Sequence, residues 1–188
     1  MYDRCSAAVA DRPDDVTGLE LLARNETALG NFAAAQTAQA HLLDLLGEAA
    51  TPDQRLMPAQ IMIAATGGYV SPEAEAQLID VLNRDPRHPM ARYLSGLMFA
   101  QVGRPDRAFQ LWQPLLTESP PDAPYMAALR DDIQTVADQA GVKFSLPSDM
   151  GPSAGPSAGD MAAAGEMTPE DRQAMIAGMV GQLETRLF

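Results

Sequence analysis

Few of the 188 residues carry side chains that do chemistry, and none stands at a spacing that assembles a reactive site. Neither His41 nor His88 has a second His, Cys or acidic residue placed to complete a metal-binding pattern. His41 reads as a helix-surface residue and His88 as part of an Arg87-His88-Pro89 turn. The single cysteine, Cys5, cannot close an intrachain disulfide, and no neighbour in sequence would activate it, so it reads as an incidental thiol. Trp112 offers a stacking face for a ligand, but its place in the helical pattern described below assigns it to the core. Asp131-Asp132 reads as a solvated helix face, and Glu170-Asp171 as partners of a helix N-terminal dipole. Gly67-Gly68 lacks the rest of a phosphate loop, and no nucleophile elbow is present. The sequence therefore assigns no catalytic residue, no metal ligand and no cofactor, and the chain is not read as an enzyme.

Composition narrows the remaining classes. Thirteen basic against 25 acidic side chains leave a formal charge of -12, which repels a phosphate backbone and excludes nucleic acid as a partner. Apolar residues make up 46% and aromatic residues only 5%, with alanine prominent, the composition of a helical protein. No stretch approaches the roughly 18 to 20 apolar residues of a spanning helix, and Met1-Tyr2-Asp3-Arg4-Cys5 has no signal-peptide core. The sequence as written reads as soluble.

Glycine and proline divide the chain into four parts. Residues 1–13 form an N-terminal tail or the start of a leading helix, 14–144 a helical domain, 145–166 a flexible linker and 167–188 a C-terminal amphipathic helix. The linker contains a tandem Gly-Pro-Ser-Ala that cannot bury enough apolar surface to offset its ordering entropy. Thr168 as N-cap, Pro169 at the first helical position and Asp171 three residues after the cap open the last helix. Met175, Met179, Leu183 and Leu187 make its apolar stripe, while Gly178 and Gly181 each cost about 1 kcal/mol of helix propensity. The expectation is that it docks on a partner, on the domain, or on a groove of this same chain.

The helical domain is repetitive. Ala74, Leu78, Val81 and Pro86 recur 34 residues later as Ala108, Trp112, Leu115 and Pro120. Extended backwards through Gly96, Phe99 and Gly103, the pattern from Pro89 to Pro120 resembles the tetratricopeptide repeat. An earlier copy runs from about Val16 to Gly47, with Leu19, Ala23, Gly30, Ala35 and Leu42 in frame, and about five extra residues follow it. The fold class is therefore all-α: a solenoid of about three repeats closed by a capping helix over Asp122 to Gly141, with Ala127, Leu129, Ile133, Val136 and Ala137 inward. Three residues depart from the frame: Glu26 stands where an aromatic is usual, Gln39 at an inter-repeat packing position, and Pro58 inside the middle first helix, which is expected to be shortened to about Leu56–Thr66.

Stacked first helices of such repeats line a concave face that accepts an extended peptide or a helix. The frame places Thr17, Glu20, Arg24 and Thr27 on it from the first copy, Leu56, Ala59, Ile63 and Thr66 from the second, and Met90, Tyr93, Leu97 and Ala100 from the third. This lining is mostly apolar with charge at one end, which suits an amphipathic helix settling on Ile63, Tyr93 and Leu97 with Arg24 and Glu20 orienting its ends.

The runs Gly18-Leu19-Glu20-Leu21-Leu22-Ala23-Arg24-Asn25-Glu26, Gly67-Gly68-Tyr69-Val70-Ser71-Pro72-Glu73 and Arg92-Tyr93-Leu94-Ser95-Gly96-Leu97-Met98, with the tail Thr168-Pro169-Glu170-Asp171-Arg172, resemble the periplasmic portion of the bacterial c-type cytochrome biogenesis family CcmI, also called CycH. The likeness covers most of residues 10 to 188. It implies a non-enzymatic periplasmic chaperone that binds apocytochrome c by its C-terminal helix and presents it to haem-ligation subunits of the CcmF and CcmH type, with no small-molecule substrate. The family's N-terminal membrane anchor is absent from this sequence, which reads as the soluble piece of a longer protein or as a stand-alone form. The rival reading from the repeat frame alone is a general scaffold that joins the subunits of a membrane or periplasmic complex through folded partners.

Overall fold

A computed structural model describes residues 12–146. The tail through residue 11 with Cys5, the linker beyond residue 146 and the C-terminal helix with its Met175–Leu187 stripe lie outside the described residues. Among the described residues the regular structure is helical: α1 (Val16–Ala28), α2 (Phe32–Leu46), a 3-10 turn (Gly47–Ala49), α3 (Pro52–Ala65), α4 (Pro72–Arg84), α5 (Pro89–Gln101), α6 (Pro105–Glu118) and α7 (Met126–Gln139). Extensive packing joins each helix to the next in sequence, which makes α1/α2, α3/α4 and α5/α6 three helix pairs and α7 a cap on the last. This is the all-α, tetratricopeptide-like solenoid that the 34-residue spacing predicts.

The helix starts are written in short polar residues followed by proline. Asp15, Ser71 and Thr51 each accept a hydrogen bond from a first-turn amide, and Thr51 forms a reciprocal capping box with Gln54. Pro52, Pro72, Pro89 and Pro105 occupy first positions, where the missing N–H costs nothing. The four odd-numbered helices end alike. Gly30, Gly67, Gly103 and Gly141 adopt φ of 67 to 78°, and the next amide in each case reaches back to close the turn, Asn31 to Glu26, Gly68 to Ile63, Arg104 to Phe99 and Val142 to Ala137 at 2.8 to 2.9 Å. By this ending α7 resembles the first helix of a pair, and residues 142–146, the last described, follow it without helix. Their Phe144 lies edge-on to Phe109 at 5.3 Å.

Two apolar clusters fill the stack up to α5, one around Leu19, Ala23, Ala38 and Leu42 within the first pair and a larger one that runs from the second pair into α5 through Leu56, Ala59, Ile63, Ala74, Leu78, Val81, Leu94 and Met98. In the third pair Trp112 is the largest fully buried side chain, and a Cβ on Gly96 would collide with its indole ring, which is why glycine stands there. The indole N–H donates to Tyr93 O at 2.9 Å. In the capping helix Leu129, Ile133, Val136 and Ala137 are buried as expected. Ala127 is exposed and Met126 takes the inward place, because Met126 lies three residues before Leu129 on the same face while Ala127, two before it, falls about 200° round the helix.

The middle first helix is not shortened. α3 has 14 residues against 13 in α1 and α5, with Pro58 inside it. A proline at 58 cannot donate to Gln54 O, one turn earlier. Gln39, 1% exposed on α2, donates its side-chain amide to that carbonyl at 2.6 Å. Two departures from the repeat frame thus compensate each other across the first inter-repeat contact. His88 is a second correction: it lies in the expected turn but is 5% exposed and serves as the N-cap of α5.

Candidate functional site: the concave groove

α1, α3 and the start of α5 enclose an open groove of about 630 Å³. From α1 it takes Glu20, Arg24 and Thr27, as the frame predicts, and from α5 it takes Met90. Arg24 donates to Glu20 at 2.7 Å, an i,i+4 pair that leaves this wall with little net charge. The Thr27 hydroxyl donates to Ala23 O at 2.7 Å. Thr17, at the exposed start of α1, does not line the groove; its amide is spent on the Asp15 cap.

The wall from α3 differs from the expectation. Leu56 lies at the floor, but Ala59 is fully buried and Ile63 is 7% exposed within the larger core cluster. Neither side chain is open to a ligand. Thr66 sits past the end of the helix, its hydroxyl 2.6 Å from Tyr69 O. The residues on the groove are Asp53, Gln54, Met57, Gln60 and Ala64. The cause is an insertion. Gly30 and Gly103 are followed at once by the N-caps Asn31 and Arg104, whereas Gly67 is followed by Gly68, Tyr69 and Val70 before the N-cap Ser71. Counting back 34 residues from the next repeat crosses those three residues and assigns positions three too far along α3, a displacement of about 60° round the helix. Counted forward from the Thr51-Pro52 start, the same offsets give Asp53, Leu56, Gln60 and Ile63, of which the first three line the groove. The groove is therefore more polar than expected, an apolar floor of Leu56, Met57, Ala64 and Met90 between glutamine, aspartate and the α1 ion pair.

Further along α5, Tyr93 and Leu97 are half-buried and pack against the larger core cluster, and Ala100 is half-buried at the end of the same helix. The Tyr93 ring stacks between Trp112 and Tyr125, with centroids at 5.7 and 5.1 Å. Burial, reinforced by the Asp132 carboxylate, pushes its hydroxyl above the usual tyrosine range. The inserted loop is tied to the third repeat: the Gln101 side chain donates to Gly68 O at 2.8 Å and accepts from Val70 N at 3.0 Å. The structure thus gathers Glu20, Arg24, Thr27, Leu56 and Met90 into one groove, and Thr17, Ala59, Ile63, Thr66, Tyr93, Leu97 and Ala100 are not among its lining residues.

Among the described residues no group of three or more His, Cys, Asp or Glu is placed to hold a metal ion, and no helix is long and apolar enough to cross a membrane. No protein-family model matches the chain. Two curated proteins do. The cytochrome c-type biogenesis protein CycH of Bradyrhizobium diazoefficiens is 33% identical over 177 residues, 93% of this chain and 44% of its own length. That of Rhizobium meliloti is 35% identical over 187 residues, 95% of this chain and 45% of its own length. Over this span the chain belongs to the CycH family. It spans less than half the length of these CycH relatives. In this CycH-family chain the groove and the Gln101-clasped loop both fall on the helical repeats.

Proposed function

We propose that this chain acts in cytochrome c-type biogenesis as a non-enzymatic, periplasmic chaperone, holding the C-terminal helix of apocytochrome c in the groove and presenting the client to haem-ligation subunits of the CcmF and CcmH type. The name that both relatives bear, cytochrome c-type biogenesis protein CycH, supports the process. The observation that carries the mechanism is the open trough between the first helices of adjacent repeats, whose apolar floor of Leu56, Met57 and Met90 is edged by polar groups. Such a trough suits a helix with one apolar stripe, because the stripe gains about 25 cal/mol per Å² of buried surface while the polar edge fixes its rotation.

Calorimetric titration of the full chain with a C-terminal apocytochrome c peptide tests this. Saturable binding is expected, weakened at least tenfold by Met57→Glu, which puts a charge on the trough floor without touching the buried core. Binding unaltered by that substitution would remove the groove from the mechanism.

A further inference from the structure

One carboxylate in the groove has an unusual holder. Asp53 stands in the first turn of α3 with its side chain 84% exposed, and its Oδ1 lies 3.1 Å from Nε2 of His88, whose side chain is only 7% exposed. The other ring nitrogen, Nδ1, accepts the Ala91 amide at 3.3 Å as the N-cap of α5. An imidazole that accepts at Nδ1 carries its proton at Nε2, so His88 donates to Asp53 as a neutral group. It orients the carboxylate across the two helices that form the groove and leaves its negative charge uncancelled.

The other charges nearby are matched among themselves. Glu20 and Arg24 pair across one turn of α1. Arg55 of α3 reaches Gly47 O and Ala50 O and approaches Glu48, and Arg84 of α4 bonds Glu48 and Asp80. Arg92 of α5 is directed at Glu118 of α6, whose carboxyl it holds below the usual range. Asp85 accepts the Arg87 amide in the turn before His88. The charge that the groove offers to a ligand is thus the Asp53 carboxylate, beside the methionine side chains of Met57 and Met90.

We propose that Asp53, positioned by His88, is the specificity determinant of the groove and seats a lysine or arginine that projects from the edge of the bound helix's apolar stripe. The stem of such a side chain lies along the methionines while its cationic head meets Oδ2, the oxygen His88 leaves open. The inference rests on the reading that the groove takes a helix, and adds which helices it selects.

The test is a Lys→Glu scan of the C-terminal apocytochrome c peptide, each version titrated against the full chain and its Asp53→Lys and His88→Asn variants. At one lysine, the wild-type chain is expected to prefer lysine over glutamate by about tenfold, and Asp53→Lys to reverse the preference. His88→Asn keeps an N-cap acceptor on α5 but frees Asp53, and is expected to reduce the preference severalfold while the thermal midpoint holds. A preference that Asp53→Lys leaves unreversed at every lysine overturns the role of Asp53, with the groove reading intact so long as Met57→Glu still weakens binding. An undiminished preference in His88→Asn overturns the positioning role. Peptides that fail to bind the wild-type chain at all overturn the groove reading.

Discussion

Gln39 and Pro58 sit where a repeat frame would place an apolar residue and an ordinary helix former, and each makes the other tolerable. The Gln39 amide supplies the donor that proline withholds from Gln54 O. Gln39→Leu should therefore cost about 1–3 kcal/mol, the penalty for leaving a shielded carbonyl unpaired. In a Pro58→Ala background the amide restored at position 58 takes over, and the same substitution should cost under about 1 kcal/mol. Urea denaturation of the four chains measures the coupling; equal costs in both backgrounds would show that the two residues act independently. Both residues are plainly out of frame in the sequence, yet their partnership is not legible there, because a helix-to-helix hydrogen bond between positions 39 and 54 depends on how α2 crosses α3. The same holds for His88, whose turn is evident from its flanking proline but whose partner, Asp53, stands on another helix.

At the level of elements, the helix pairing carried by the 34-residue spacing was the most readable feature and the register of α3 the least. Closing glycines act within about one turn of their own residue, so Gly30 and Gly103 declare themselves locally, whereas the starts of α3 and α7 lie four residues from where they are expected. The phase of α3 relative to its neighbours depends on Gly68, Tyr69 and Val70, an insertion that displaces any count made through it. These residues keep a defined path because Gln101 clasps them from the next repeat. Gln101→Ala is expected to speed exchange of the Val70 amide by about tenfold or more, with little change in the amides of α1, as followed by NMR. Unchanged Val70 protection would mean that burial alone holds the loop.

For the molecule as a whole, the packing is a chain of nearest neighbours, so stability should be distributed the same way. Leu129, fully buried on the capping helix, tests this. Leu129→Ala should cost about 2–5 kcal/mol, and hydrogen exchange should rise most in α5, α6 and α7 and least in α1 and α2; a uniform rise would indicate a single cooperative unit instead. The sequence by itself determined the helical class and the pairing of the helices, because a periodicity and its terminators are local properties of a chain. The tertiary structure alone decided which face of α3 looks into the groove, that Ala59 and Ile63 are core and that Asp53 is held there by a buried imidazole. Those outcomes depend on the rotation of one helix against two others, and that rotation is set by packing contacts between residues far apart in the chain.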